Sequence, residues 1–255
     1  MSNHMEFSGK TALVTGGGSG IGEAVALGLG KGGANVVVAD LNEDAAKNIA
    51  DQIVAAGGKA VAVGGNVGKA EDVKAMVDKA VSEFGALHLA FNNAGIGGPS
   101  GFVGDIEIDA YHNLMDVNLH SVFYGMKYEA PEIIKAGGGS IVNTASILGL
   151  VADRDGAFLP YVTAKHAVTG MSKAAGVALA KQGVRVNSLH PGYIATPLVK
   201  NNLPEEAVPM LEGLHPIGRL GQAQEVAEVV LFLLSDRSSF VTGSQYVVDG
   251  GYTSH

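Results

Sequence analysis

Short apolar segments recur along almost the whole chain of 255 residues, and stretches with helical patterning separate them. The segments that the pattern predicts as strands are residues 12–15, 35–40, 59–64, 87–91, 140–144, 184–189 and 245–248. The intervening predicted helices are residues 20–32, 42–56, 70–84, 108–135, 161–181 and 223–234. Strands that are apolar throughout predict a parallel sheet with helices on both faces. Right-handed crossovers then give an α/β, Rossmann-type, doubly wound parallel sheet of about seven strands.

One segment breaks the alternation. Residues 192–221 contain four prolines and carry no clear strand pattern. Such a length exceeds an ordinary connection and predicts a lid over a substrate site. No linker or repeat divides the rest, so residues 1–255 are expected to form a single domain. Residues 1–4 precede a second methionine, and the sequence leaves open whether they are a native tail or a cloning remnant.

Composition excludes several classes of partner. Seventeen basic and 25 acidic residues give a formal net charge of −8, and no basic run is present. Nucleic acid and anionic membranes are therefore not expected as partners. The chain has no cysteine, which excludes disulfides and thiolate metal sites and fits the reducing cytoplasm. No histidine motif or carboxylate pair suggests a metal, and no apolar stretch reaches the ~20 residues that span a bilayer.

A glycine-rich turn, TGGGSGIG at residues 15–22, links the first predicted strand to the first helix. Glycines at such a turn let backbone N–H groups approach a phosphate at the helix N-terminus. The same glycines could serve an ordinary βα turn. The strand–turn–helix context and an acidic residue at the end of the next strand favour a dinucleotide site.

That acidic residue is Asp40, which ends the second predicted strand. A carboxylate there can accept hydrogen bonds from ribose hydroxyls and repels a 2′-phosphate. Ser19, Leu41 and Asn42 offer no cation nearby. The sequence therefore predicts NAD(H) rather than NADP(H), although Asp40 could instead cap the following helix.

Tyr161 and Lys165 lie one helical turn apart in YVTAK, so they share one face of the helix. Ser146 ends the preceding predicted strand. A neighbouring ammonium is expected to lower the tyrosine pKa from its usual value near 10, together with the charge of oxidised nicotinamide. These residues predict general acid/base chemistry on a carbonyl or hydroxyl. Taken alone, Tyr161 could be a core residue and Lys165 a solvated one.

The ordered set of motifs resembles the short-chain dehydrogenase/reductase superfamily over essentially the whole chain. The resemblance is carried by TGGGSGIG (15–22), Asp40, NNAG (92–95), Asn118, Ser146, YVTAK (161–165), PGYIATP (191–197) and VTGSQYVVDGGYT (241–253). It implies that Tyr161 is the acid/base, Lys165 its electrostatic partner and ribose ligand, and Ser146 the carbonyl anchor. Asn118 would hold a water that links Lys165 to solvent. The motifs look most similar to bacterial NAD-dependent secondary alcohol dehydrogenases and carbonyl reductases.

The expected coenzyme contacts follow from the same motifs. They are Gly16, Ser19, Gly20, Ile21, Gly22, Asp40, Leu41, Asn66, Val67, Asn93, Ala94, Gly95, Tyr161, Lys165, Pro191, Gly192, Ile194 and Thr196. Asn66 stands where the family commonly has aspartate facing the adenine amino group, which weakens that one contact. Thr196 is expected to meet the nicotinamide carboxamide, or otherwise to cap a turn.

The substrate site is predicted to be mostly apolar, which favours a small neutral carbonyl or secondary alcohol. Expected substrate contacts are Ser146, Leu148, Phe158, Tyr161, Tyr193, Met210 and Leu211, with Ile147 and Leu198 as further lining. Lys200 and Arg154 are the nearby cations, and residues 153–155 are expected to form one wall. Each apolar residue could equally belong to the core.

Two other functions remain open from the sequence. A 3-oxoacyl-[acyl-carrier-protein] reductase would favour NADPH and a basic surface for its acidic carrier. A non-catalytic dinucleotide sensor or scaffold would be expected to lack the tyrosine or the lysine. Family resemblance also implies a homotetramer, built on the apolar faces of the helices at residues 108–135 and 161–181.

Overall fold

The computed structural model describes residues 6–202 and 207–254, without the side chains of residues 200–202. The predicted tail at residues 1–4, a part of the predicted lid and the side chain of Lys200 lie outside the described residues. Within the described part, no helix is long and apolar enough to cross a membrane.

Seven parallel strands form one sheet in the order β3–β2–β1–β4–β5–β6–β7. The strands are β1 (Thr11–Thr15), β2 (Asn35–Asp40), β3 (Lys59–Gly64), β4 (Leu89–Asn92), β5 (Gly139–Thr144), β6 (Val184–Pro191) and β7 (Gln245–Val248). The predicted doubly wound fold is confirmed. The order reverses between β1 and β4, so a crevice opens there at the carboxyl ends of the strands.

Nine α-helices lie in the described part of the chain and cover the sheet. They are α1 (Gly20–Lys31), α2 (Glu43–Ala55), α3 (Ala70–Phe84), α4 (Ile108–Met115), α5 (Ser121–Lys135), α6 (Leu159–Leu179), α7 (Pro197–Asn202), α8 (Val208–Gly213) and α9 (Ala223–Leu234). Alternate strand residues face opposite layers, as a period of two requires. Val14 packs in the cluster with α1, α2 and α9, whereas Leu13 packs in the cluster with α3, α5 and α6.

The helix predicted for residues 108–135 is present with those bounds, but it is not a regular α-helix throughout. A π-helical turn, Asp116–His120, separates α4 from α5. The fully buried Asn118 lies within it, and its side chain bonds the main chain of Ile96 twice. A π-helical turn widens the helix by one residue, and such turns are frequent at functional sites. The tertiary bonds of Asn118 therefore accompany a local geometry that helical periodicity alone does not reveal.

Candidate active site

A cavity of about 510 Å³ opens at the carboxyl ends of the strands around β1 and β4. Most of the residues predicted for the coenzyme line it. These are Gly16, Ser19, Gly20, Ile21, Asp40, Leu41, Asn66, Val67, Asn93, Ala94, Gly95, Tyr161, Lys165, Pro191, Gly192, Ile194 and Thr196. Gly22 does not line the cavity.

The turn between β1 and α1 has a backbone that a ligand can approach closely. Gly16 and Gly20 have φ angles of +61° and +58°, a backbone region that favours glycine. A Cβ on Gly22 would lie 2.0 Å from the carbonyl oxygen of Gly16, so a side chain there would displace the turn. Ser19 precedes α1 without capping it through its side chain. The first N–H groups of α1 are thus available to an anion, and the turn fits a dinucleotide pyrophosphate.

Asp40 lies at the cavity and already receives two backbone hydrogen bonds. Its Oδ2 accepts from the Gly18 N–H at 3.0 Å, and its Oδ1 accepts from the Asn42 N–H at 3.0 Å. A carboxylate oxygen accepts more than one bond, so capacity for ribose hydroxyls remains. Leu41 beside it is 76% exposed. Among the described residues that line the cavity, Lys165 is the one cation.

Two asparagines at the cavity have structural partners. Asn66 Oδ1 accepts from the Gly68 N–H at 2.9 Å, which uses part of the oxygen predicted to face adenine. Asn93 Nδ2 donates to the Thr15 carbonyl at 3.2 Å and, more weakly, to the Gly16 carbonyl at 3.4 Å. Asn93 therefore ties the end of β4 to the glycine-rich turn.

Ser146, Tyr161 and Lys165 are brought together at the cavity. Ser146 follows β5, whereas Tyr161 and Lys165 lie on the first turns of α6. Ser146 and Tyr161 both line the cavity, and the Ser146 hydroxyl is close enough to the phenol to lower its pKa. Lys165 Nζ donates to the Thr144 carbonyl at 2.8 Å and lies 5.5 Å from the centroid of the Tyr161 ring. A hydroxyl, a phenol and an amine thus converge on one space.

Burial shifts the pKa values of Tyr161 and Lys165. It raises the pKa of the Tyr161 phenol, and the hydrogen bond with Ser146 opposes the change in part. Burial also lowers the pKa of Lys165 to about 8. The expected lowering of the tyrosine pKa by Lys165 and oxidised nicotinamide together stays a prediction, because burial is the largest effect on the phenol in the protein alone.

Asn118 lies behind this group. Its Oδ1 accepts from the Ile96 N–H at 2.8 Å, and its Nδ2 donates to the Ile96 carbonyl at 2.8 Å. The side chain thus anchors the loop after β4 to the π-helical turn. Its predicted role in holding a water stays a prediction.

Thr196 lies in a turn at the cavity, and its predicted contact with the nicotinamide carboxamide stays a prediction. It lines the cavity, and its hydroxyl donates to the Ile194 carbonyl at 3.3 Å, as a turn cap does. Its methyl carbon would lie 3.1 Å from a Cβ placed on Gly20. The segment after β6 therefore packs closely on the glycine-rich turn.

The apolar wall of the cavity contains most of the predicted substrate contacts. Ile147, Leu148, Phe158, Tyr193 and Leu198 line it together with Ser146 and Tyr161. Met210 and Leu211 on α8 do not line it. Met210 is 63% exposed and Leu211 is buried. Asp153 accepts from the Ala157 N–H at 2.8 Å, which braces the segment before α6.

An aromatic cluster next to the cavity was not predicted. The Tyr193 ring meets the His215 and Tyr252 rings edge-on, at centroid distances of 5.8 and 6.1 Å. Burial, reinforced by Tyr252, Asp153 and Tyr161, raises the pKa of Tyr193 to about 12. Tyr193 thus stays a neutral hydroxyl. The motif VDGGYT pointed to the segment that holds Tyr252, but no sequence signal linked it to residue 193.

The C-terminal segment is fastened beside this cluster. Asp249 Oδ1 accepts from the Gly251 N–H at 2.9 Å, and its Oδ2 accepts from the Thr253 N–H at 2.8 Å and the Thr253 hydroxyl at 2.7 Å. The Ile217 N–H donates to the Gly250 carbonyl at 3.1 Å. The predicted lid and the C-terminus are therefore joined.

No group of three or more histidine, aspartate or glutamate side chains converges on a point in the part of the chain that the structure describes.

Comparisons with known proteins agree with this geometry. The family model described as enoyl-(acyl carrier protein) reductase matches residues 16–253. Cyclohexanol dehydrogenase of Acinetobacter sp. (strain SE19) is 56% identical, over 100% of this chain and 98% of that protein. A 2,5-dichloro-2,5-cyclohexadiene-1,4-diol dehydrogenase of Sphingobium indicum is 42% identical, over 97% of this chain and 98% of that protein. The crystal structure of a short-chain type dehydrogenase/reductase from Mycobacterium marinum has a TM-score of 0.93 at 37% identity, covering 98% of each chain.

The chain belongs to the short-chain dehydrogenase/reductase family, as its motifs predicted. It is an oxidoreductase of the class that binds a nicotinamide dinucleotide. The expected interconversion of secondary alcohols and carbonyl compounds is likewise confirmed at the level of this class.

Proposed function

We propose that this protein is an NAD(H)-dependent dehydrogenase of small, neutral, cyclic secondary alcohols. The observation that carries the proposal is the convergence of Ser146, Tyr161 and Lys165 on one cavity with an apolar wall. An apolar ring is expected to bind against this wall. Each Å² of apolar surface that it removes from water contributes roughly 25 cal/mol to the free energy of binding. The two relatives described above act, by their names, on a cyclohexanol and a cyclohexadienediol.

Each catalytic residue has one task in the proposed reaction. Bound nicotinamide supplies the hydride in reduction and accepts it in oxidation. Ser146 donates a hydrogen bond to the substrate oxygen and fixes its position. Tyr161 gives its proton to that oxygen in reduction and takes it back in oxidation. Lys165 adds positive charge beside the phenol and offers its remaining N–H groups to the coenzyme ribose.

The coenzyme preference is proposed to be NAD(H) over NADP(H). Asp40 places a carboxylate at the cavity, and no described lining residue near it is a cation. A 2′-phosphate there would meet negative charge without a partner. The Asn66 oxygen and the Thr196 hydroxyl keep their proposed contacts with adenine and carboxamide as secondary interactions.

We also propose that residues 192–221 act as the substrate lid of a single domain, and that the chain works in the cytoplasm as a homotetramer. The lid lies between β6 and α9, and part of it lines the cavity. Phe123 on α5 is 49% exposed and Val177 on α6 is 80% exposed. Apolar side chains left outside on neighbouring helices favour a subunit interface.

Steady-state assays test the proposed activity. The purified protein should oxidise cyclohexanol with NAD⁺ and reduce cyclohexanone with NADH, at a kcat/KM at least about tenfold higher than with NADP(H). An open-chain secondary alcohol and an acyl thioester serve as comparison substrates. A preference for the thioester would favour an acyl-carrier-protein reductase, and inactivity on every carbonyl would favour a sensor.

Light scattering tests the proposed assembly. The wild-type chain should have about four times the monomer mass, and Phe123→Glu should lower it. Val54→Glu is a matched control, since Val54 is 52% exposed on α2, away from α5 and α6. A monomeric wild-type protein would contradict the assembly.

A further inference from the structure

His190 is a fully buried histidine near the end of β6 that takes no part in the reaction described above. Its Nδ1 lies 2.8 Å from the main-chain oxygen of Ser146, and its Nε2 lies 2.9 Å from the Ser188 hydroxyl. A carbonyl oxygen only accepts, so Nδ1 must carry the proton. Nε2 is then the acceptor for the Ser188 hydroxyl, and the ring is held as one neutral tautomer.

The surroundings of His190 favour the same neutral form. Burial lowers the pKa of the imidazole, while the hydrogen bond to Ser146 opposes the change. Lys165, Lys173 and His166 lower the pKa further through their positive charge. The ring is thus a fixed donor toward Ser146.

The bond from His190 to the Ser146 carbonyl extends the hydrogen bonding between β5 and β6 past the last main-chain bond. The register of β5 and β6 ends at the pair Thr144 and Leu189, and the Ala145 N–H then donates to the Leu189 carbonyl at 2.8 Å. At Ser146 the chain leaves the sheet for a 3₁₀ turn, Ile147–Gly149. The His190 side chain supplies the next hydrogen bond, where the main chain of β6 no longer does.

The position of the Ser146 hydroxyl depends on the hydrogen bond from His190 to the Ser146 carbonyl. Ser146 Oγ accepts from the Leu148 N–H at 3.1 Å, so one acceptor site is fixed and the hydroxyl can act as a donor on the cavity side, where Tyr161 also lies. The far end of the turn is held separately, because the Thr169 hydroxyl shares its proton between the Lys165 carbonyl at 2.9 Å and the Gly149 carbonyl at 3.2 Å. At the near end, His190 provides the side-chain hydrogen bond to Ser146 itself.

We propose that His190 is a positioning residue for the oxidoreduction, which acts by holding the Ser146 main chain so that its hydroxyl meets the substrate oxygen. The proposal rests on the proposed role of Ser146 as carbonyl anchor. His190 touches neither the substrate nor the coenzyme in this assignment. Its effect should appear in kcat and leave coenzyme affinity unchanged.

Two pairs of variants separate this role from simple core packing. His190→Asn keeps an N–H group at the place of Nδ1, whereas His190→Leu has a similar shape and no donor. His190→Gln moves its amide outward to the place of Nε2, toward Ser188. The Leu and Gln variants should lose about 10- to 100-fold in kcat, and Asn should stay within about fivefold of wild type. Ser188→Ala, which spares the bond to Ser146, should also stay within about fivefold.

The readouts are kcat for cyclohexanone reduction, the Kd for NADH and the melting temperature. The expected result is a kcat order of Asn above Gln and Leu, with an NADH Kd within about twofold throughout. If the Leu variant does not fold, the comparison of Asn with Gln decides. Equal kcat values for Asn and Gln, or a loss of NADH affinity in step with kcat, would overturn the proposal.

One further variant keeps the two proposals distinguishable. If Ser146→Ala is inactive while all His190 variants turn over normally, only the role of His190 is overturned. If Ser146→Ala is fully active, the proposed role of Ser146 fails and that of His190 fails with it.

Discussion

The amine of Lys165 lies 5.5 Å from the centroid of the Tyr161 ring and donates to the Thr144 carbonyl at 2.8 Å. One N–H group of the amine therefore donates to the end of β5, and the others can donate into the cavity. Because both side chains begin on α6 and meet the end of the sheet, their separation is set by rigid elements. The phenol and the amine are therefore held next to each other by the helix and the sheet.

Removing the phenol should abolish turnover but not coenzyme binding. We expect Tyr161→Phe to lower kcat for cyclohexanol oxidation by about 10²- to 10⁴-fold, the usual contribution of a positioned proton-transfer group. The NADH Kd, measured by fluorescence, should change little because the ring keeps its shape. Near-normal turnover by this variant would disprove the acid/base assignment.

The two reaction directions should respond to pH in opposite ways. Reduction requires a protonated Tyr161, and burial raises the pKa of this phenol, so the proton is in place at neutral pH. Oxidation requires the phenolate, which forms as pH rises. We expect kcat/KM for cyclohexanol to increase between about pH 6 and 9, while that for cyclohexanone stays level or falls. Profiles at constant ionic strength check this, and an oxidation rate that falls over the range would contradict it.

Glu129 should make the protein less stable as pH rises. Burial raises the pKa of this carboxyl to about 7, against the hydrogen bond from Asn92, and its Oε1 has no partner among the described residues. The folded state holds this proton after the unfolded state has lost it. The stabilising contribution is thus complete below the ordinary carboxyl pKa and lost as pH rises through about 7.

Glu129→Gln should remove that pH dependence. We compare the free energy of unfolding of the variant with that of wild type at each pH. The difference, variant minus wild type, should be about 2 kcal/mol larger at pH 8 than at pH 5.5, since one pKa unit is worth about 1.36 kcal/mol. Urea unfolding at the two pH values measures the gain. Glu132→Gln on the same helix is the control, because Glu132 is partly exposed and pairs with Lys135. An equal gain at both pH values would refute the prediction.

Coenzyme choice should invert when charge is changed at the end of β2. Asp40→Ser with Leu41→Arg removes the repelling carboxylate and adds a guanidinium for the 2′-phosphate. Leu41 is 76% exposed, so the new side chain costs no core packing. The ratio of kcat/KM for NAD⁺ to that for NADP⁺ should fall by at least about 100-fold. Asp40→Ser with Leu41→Gln separates charge from size, and an unchanged ratio would argue against the role of Asp40.

The sheet was predictable because its strands are short, mostly apolar runs. Asn35–Asp40, Lys59–Gly64 and Gln245–Val248 were each predicted with the bounds that the structure shows. Their apolar runs and their turns are local signals. The π-helical turn between α4 and α5 was not predictable in this way, since Asn118 finds its partner Ile96 across 22 positions. Helical periodicity carries no information about such a bond.

In the candidate site, too, local signals predicted some residues and missed those placed by long-range contacts. Residues at strand ends, such as Asp40 and Ser146, were predictable because the carboxyl ends of parallel strands meet at one edge. The bond of His190 to Ser146 joins residues 44 positions apart, and the ring of Tyr252 reaches Tyr193 from the end of the chain. Met210 was expected at the substrate on its apolar character alone, yet it is 63% exposed. Long-range contacts decided these cases.

The fastening of the C-terminus by Asp249 has a practical consequence for anyone who expresses or redesigns this protein. Since Thr253 is tied down and Tyr252 packs on Tyr193, residues 249–253 support a side chain that lines the cavity. Libraries that aim at bulkier rings can therefore vary residues 249–253, which changes the support of Tyr193 without altering the catalytic helix α6.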